Sequence, residues 1–166
     1  MGACHGRYRP NAQRRKAIDW CSLTITSRSI SYAVSTMDLD RLVMLAEAAR
    51  ARAYAPYSKF FVGAAVLSAT GKIYTGCNVE NATYGATICA ERSAICSMIA
   101  AGEKSYTAIA VFTDANPPAT PCGICRQVLA EFADDAIVVV ATPRMKKRLS
   151  LSALLPERFA LLTEEP

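Results

Sequence analysis

Histidine is almost missing. The chain of 166 residues carries one, His5, at its extreme N-terminus, which excludes a histidine-based catalytic site from the main body of the sequence. Glycine and proline stand at only 8 each, so collagen-like and low-complexity polymers are excluded. No apolar run approaches the ~20 residues of a membrane span, and no secretory apolar core is visible. The chain is therefore expected to be soluble and cytoplasmic. With 52% hydrophobic and 20% charged residues, it has material for one ordinary globular domain.

Net charge is scarce where it matters. The formal +5 belongs to residues 1–36, where Arg7, Arg9, Arg14, Arg15, Lys16 and Arg28 face a single acid, Asp19. Residues 37–166 balance 13 basic against 13 acidic side chains. A neutral domain lacks the electrostatic footprint of sequence-independent phosphate binding, so neither a nucleic-acid nor a membrane partner is expected. Residues 1–36 show no sustained period of two or 3.6 and read as a disordered, basic extension. Their Arg- and Ser-rich composition also resembles an organellar transit peptide, and sequence upstream of a start at Met37 is a third reading.

Apolar spacing predicts a helix over Asp38–Arg52, a hairpin of Val62–Leu67 and Ile73–Val79 turning at Gly71, and a helix over Cys89–Ala101 ending at Gly102. A strand at Ile109–Thr113, a loop carrying Pro117, Pro118 and Pro121, a helix over Gly123–Phe132 and a very apolar, central strand at Ala136–Ala141 follow. One mixed sheet flanked by helices fits this order.

Cysteine is what the sequence does have. Of seven, Cys4 and Cys21 fall in the extension, and Cys77, Cys89, Cys96, Cys122 and Cys125 fall in the domain. In a reducing compartment these suggest thiolate ligands or nucleophiles before disulfides. Cys89-Ala90-Glu91 and Pro121-Cys122-Gly123-Ile124-Cys125 both open a predicted helix, where unpaired N–H groups and the positive dipole end favour thiolates. Three such sulfurs suit zinc, and a structural site would usually close with a fourth Cys or His. Cys77 and Cys96 remain open for that place. Without a fourth protein ligand the position takes water, whose pKa zinc lowers from 15.7 to about 7, and Glu91 is placed to move its proton. Three thiolates overcompensate a divalent ion, so Arg92, and Arg126 as a second candidate, are read as hydrogen-bonding the sulfurs.

Cys-Ala-Glu-Arg at 89–92 with Pro-Cys-Gly-Ile-Cys-Arg-Gln at 121–127 resembles the short, homotetrameric class of cytidine deaminases. Tyr54–Phe60, Val62–Ala65 and Gly76–Ala82 agree in order and spacing, and the likeness runs from about Leu39 to Phe159. It implies a three-layer α/β/α sandwich with a mixed five-stranded sheet, and release of ammonia from cytidine and 2′-deoxycytidine by water. It also implies one Zn²⁺ per subunit on Cys89, Cys122 and Cys125, with Glu91 as the proton shuttle. Asn78 and Glu80 would take the ribose hydroxyls and Phe60 the pyrimidine face. Asn81, Ala82, Tyr84 and Ala90 complete the substrate contacts, Phe159 is contributed to a neighbouring subunit, and Arg92 and Gln127 support the ligands. Beyond Phe159 the chain departs from the family, reading Ala160-Leu161-Leu162. Blasticidin-type deaminases share the metal pieces, but Asn78–Ala82 favours a ribose-bearing substrate. Polynucleotide deaminases need a basic strand-binding surface. A non-enzymatic zinc module has no use for Glu91.

Overall fold

Alternation along the strands decides the architecture. In the structure, a computed structural model describing residues 34–161, three strands carry two apolar faces each: β1 (Gly63–Ser68), β3 (Tyr106–Phe112) and β4 (Ile137–Ala141). Ala64, Val66, Ile109, Val111, Val138 and Val140 point to one side, with Ala65, Leu67, Ala108, Ala110, Val139 and Ala141 on the other. A strand buried on both faces needs a helical layer on each. Helix α1 (Thr36–Arg50) covers the second face through Leu39, Leu42 and Ala46. Helices α2 (Ala90–Ala100) and α3 (Gly123–Glu131) cover the first through Ala90, Ala94, Ile95, Met98 and Leu129. The result is the expected three-layer α/β/α sandwich.

The five-stranded sheet runs β2-β1-β3-β4-β5, with β2 at Ile73–Cys77 and β5 at Lys146–Ser150. Only β3 and β4 pair in parallel, joined by the crossover through α3. The strand expected to be central, β4, is interior but stands beside the middle strand β3. Strand β5 and the short α4 (Leu151–Leu154) gave no sequence signal, since Lys146-Lys147-Arg148 is exposed edge strand without an apolar period.

Two glycines set how closely the helices approach. A Cβ on Gly63 would meet the Ala46 carbonyl oxygen at 1.9 Å, and one on Gly76 the Ala94 nitrogen at 2.3 Å. Gly76 thereby lets α2, with Cys89 and Glu91 at its start, lie directly on β2. At the other end of the sequence, α1 begins before the expected boundary. Ser35 is its N-cap in a capping box with Asp38, and Val34 packs on the Leu39–Leu42 cluster. Residues 34–36 are thus part of the domain, while the rest of the basic extension lies outside the described residues.

Candidate active site

Two helix starts meet beside the end of β3. Cys89 is the N-cap of α2, Cys122 is the N-cap of α3, and Cys125 lies in the first turn of α3. Neither N-cap thiol caps its own helix, so both remain directed at each other. The three sulfurs lie within 4.8 Å of one another, Cys89 and Cys122 at 4.0 Å. Thiolates arranged tetrahedrally at ~2.3 Å from zinc would stand ~3.8 Å apart, so the set fits that ion. Among the described residues the cluster comprises these three alone: Cys77 donates to the Arg52 carbonyl at 3.5 Å and Cys96 is exposed elsewhere on α2. Neither supplies a fourth ligand.

The protons on the Cys89 and Cys125 sulfurs are unequally held. Hydrogen bonding from Cys125, followed by that from Arg92 and Cys122, brings the Cys89 thiol down to about 5 against the opposing effect of burial. The same bond from the other side, together with burial, pushes Cys125 up. A divalent cation takes the place of such shared protons. Arg92 stands as expected: Nη2 donates to the Thr87 carbonyl at 2.6 Å and lies 4.0 Å from the Cys89 sulfur. Arg126 does not. Its guanidinium is directed to Pro121, Thr120 and Leu154, because its long side chain runs back over the start of α3, away from the sulfurs.

Glu91 is 5% exposed, and burial pushes its carboxyl up to about 6. It lines a cleft of about 240 Å³ together with Cys89, Ala90, Cys122, Phe60, Asn78 and Glu80. A carboxyl that is desolvated and near neutrality is suited to taking and returning a proton.

Asn78 and Glu80 leave β2 just where the expected strand would have continued. Asn78 accepts from the Val62 N–H and donates to the Phe60 carbonyl, both at 2.8 Å. Glu80 accepts from the Tyr57 N–H at 2.8 Å, the Ser58 N–H at 3.2 Å and the Ser58 hydroxyl. Both side chains therefore order the Tyr57–Val62 segment while facing the cleft, and each keeps unused hydrogen-bonding capacity. Lys59 in this segment has φ 57°, a left-handed turn rarely adopted by residues with a Cβ. It reverses the chain so that Phe60, 43% exposed, forms a wall of the cleft.

Other expected site residues are dispersed. Asn81 builds a turn, accepting from the Thr83 N–H at 2.8 Å. Ala82 is exposed, and Tyr84 lies edge-on to Tyr57 at 5.9 Å, lining a neighbouring recess with Ser58 and Thr87. Gln127 does not reach the sulfurs: its amide donates to the Phe159 carbonyl at 2.9 Å and accepts from the Phe159 N–H at 3.1 Å. Phe159 is 69% exposed beside Phe132–Asp134 and takes no part in lining this chain's cleft. Ser58, Thr87, Thr113 and Thr120 do line it. Sequence reading passed them over, although Ser58 lies inside a segment singled out by its pattern.

A family profile described as the cytidine and deoxycytidylate deaminase zinc-binding region matches residues 37–141. The chain belongs to this family. A cytidine deaminase of Sporosarcina psychrophila is 44% identical over 127 residues, 75% of this chain and 93% of the relative. The crystal structure of cytidine deaminase from Burkholderia pseudomallei is 45% identical, covers 72% of this chain and 98% of its own, and superposes with a TM-score of 0.70. That from Mycobacterium tuberculosis is 41% identical, with coverage of 75% and 98% and a TM-score of 0.65. A zinc-binding deaminase region thus coincides with the part of the chain that gathers three thiols beside a buried carboxylate.

Proposed function

We propose that the chain deaminates cytidine and 2′-deoxycytidine with water, Cys89, Cys122 and Cys125 holding one zinc ion and Glu91 moving the protons. The observation that carries this reading is the meeting of three sulfurs and a buried glutamate in one cleft, with the paired polar groups Asn78 and Glu80 also lining it. The named relatives support the same reaction. When bound, zinc supplies an acidified water, its pKa lowered towards 7. Glu91 receives a proton as the water oxygen forms its bond to C4 of the pyrimidine, and delivers it to N3. It then carries the second water proton to the exocyclic nitrogen, the C4–N bond breaks, and ammonia leaves with uridine as the other product. Arg92 offsets part of the thiolate charge at Cys89. Asn78 and Glu80 direct their remaining hydrogen-bonding capacity at the ribose, and Phe60 packs on the ring.

The assembly belongs to the same proposal. A neutral domain has little self-repulsion to oppose close association, and Phe159, solvent-facing and outside its own cleft, is available to a neighbour in a homotetramer. No described helix is long and apolar enough to cross a membrane, and the site of action is the cytoplasm, in pyrimidine salvage. The direct test is loss of cytidine absorbance with one ammonia released per uridine formed. Free cytosine should be a poor substrate. Equal efficiency on cytosine and cytidine contradicts the ribose assignment, and absence of turnover contradicts the reaction.

A further inference from the structure

The segment that delivers Cys122 to the site is hydrogen-bonded by one side chain. Among the described residues, 116–121 take their hydrogen bonds from Arg126 alone. Its Nε donates to the Pro121 carbonyl at 2.7 Å and its Nη2 to the Thr120 hydroxyl at 3.0 Å. Thr120 lines the cleft, and Pro121 immediately precedes Cys122. The third nitrogen, Nη1, donates to the Leu154 carbonyl at the end of α4, at 2.9 Å. The backbone N–H of Arg126 donates to the Cys122 carbonyl at 2.9 Å, and its chain neighbour Cys125 is fully buried. One residue therefore grips the chain on both sides of Cys122 and ties that grip to α4.

We propose that Arg126 is a positioning residue for the three-sulfur centre, fixing Cys122 and the Thr120 wall of the cleft against α3 and α4. Only a guanidinium does this. Its planar fork reaches three acceptors in three directions at once, whereas lysine offers a single centre on a flexible stem. Cys122 needs such support more than its partners. Cys125 is locked by burial, and Cys89 opens a helix that lies on β2 across Gly76, but Cys122 is exposed at the end of a loop to which, among the described residues, only Arg126 hydrogen-bonds. Loss of the fork leaves this sulfur free to move away from the other two without unfolding the domain.

The proposal rests on the zinc-holding role of the three cysteines, and the test separates the two. Zinc release to a chromophoric chelator and the absorption of the cobalt-substituted protein are measured for wild type, Arg126→Lys and Arg126→Ala. Arg158→Ala is the control, because Arg158 holds the other end of α3 through the Ala130 and Ala133 carbonyls, remote from the sulfurs. Both Arg126 variants should release zinc about 10–100-fold faster, the range expected when a group supporting a ligand is lost. Their cobalt bands should shift, and added guanidinium ion should restore slow release in Arg126→Ala. Arg158→Ala should resemble wild type in release and spectrum even if it melts earlier. Unchanged release and spectrum in folded Arg126→Ala overturns the proposal, as does equal acceleration in Arg158→Ala. A wild type that holds no zinc takes down the metal reading as well, whereas zinc-loaded wild type with indifferent variants takes down this inference alone.

Discussion

Three hydrogen bonds already commit the Glu80 carboxylate to Tyr57 and Ser58, so its substitution acts on the substrate directly and through the loop that carries Phe60. Glu80→Ala should lower kcat/KM for cytidine about 5- to 150-fold, corresponding to about 1–3 kcal/mol for a lost hydrogen bond to a buried hydroxyl. Ser58→Ala removes two internal bonds, the one donated to Glu80 and the one accepted from the Phe60 N–H at 3.0 Å, and leaves the Glu80 carboxylate in place, so it should lower it less. Both proteins should keep their full zinc content by elemental analysis. Unchanged kcat/KM in Glu80→Ala contradicts the ribose contact. At this scale the sequence was informative where residue type alone carries the chemistry, as for Cys89, Glu91, Cys122 and Cys125. It misled at Arg126 and Gln127, whose long side chains are flexible enough that packing, and not position in the chain, decides where they end. Both were read as serving the sulfurs, yet Arg126 serves a loop and Gln127 the Phe159 backbone.

The packing of α2 on β2 places two site residues, and it depends on the missing side chain at Gly76. In Gly76→Ala the new methyl would sit 2.3 Å from the Ala94 nitrogen and 2.7 Å from the Ala90 oxygen, both backbone atoms that cannot rotate away. Thermal unfolding should show a loss of about 1–3 kcal/mol, the usual cost of overpacking, and activity should fall with it because α2 must lift from the sheet. Retained stability would mean that this contact does not set the helix position. The β1–β2 turn carries its own pH dependence. Glu103 is buried against Thr70 at 2.8 Å and Lys72 at 3.0 Å, and these partners hold its carboxyl below the usual value. A lowered folded-state pKa stabilises above the unfolded value and loses that contribution as pH falls through the folded one. The melting temperature of Glu103→Gln should therefore lie below that of wild type at pH 6 and converge with it as pH falls below the unfolded carboxyl value of about 4.3 and on through the lower folded one. A gap that persists in acid would assign the effect to packing. Helices α1, α2 and α3 and strands β1 to β4 were legible because their apolar spacing and apolar runs stand out in the sequence. Strand β5 was not, since an edge strand owes its place to pairing with β4 and carries exposed Lys146, Lys147 and Arg148.

At the scale of the whole molecule, the boundary of the domain is a testable line. Deleting residues 1–33 should leave activity, zinc content and assembly mass unchanged, since the described fold begins with Val34 and the Ser35 cap. Deleting through Thr36 removes the Ser35–Asp38 capping box and should cost about 0.5–2 kcal/mol by thermal unfolding, with the same assembly mass. Sedimentation of the two truncations is expected to give a tetramer. A fully active monomer would contradict a site shared between chains, and collapse of the shorter deletion would make residues 1–33 structural. The cap was missed in the sequence because Ser, Thr and apolar residues are mixed through residues 30–36 without a regular period, so Ser35 does not stand out as the start of the helix. Only the helix it starts marks it out.

The measurement closest to the central claim is uridine and ammonia production by wild type and Glu91→Gln at matched zinc content. Glutamine keeps the size and burial of the side chain at position 91 but cannot cycle a proton between water and the pyrimidine. Wild type should release one ammonia per uridine. Glu91→Gln should bind the same zinc and turn over at least about 10²–10⁴-fold more slowly, the contribution typical of a positioned acid–base group. A zinc-loaded Glu91→Gln protein that deaminates cytidine at the wild-type rate would contradict the account.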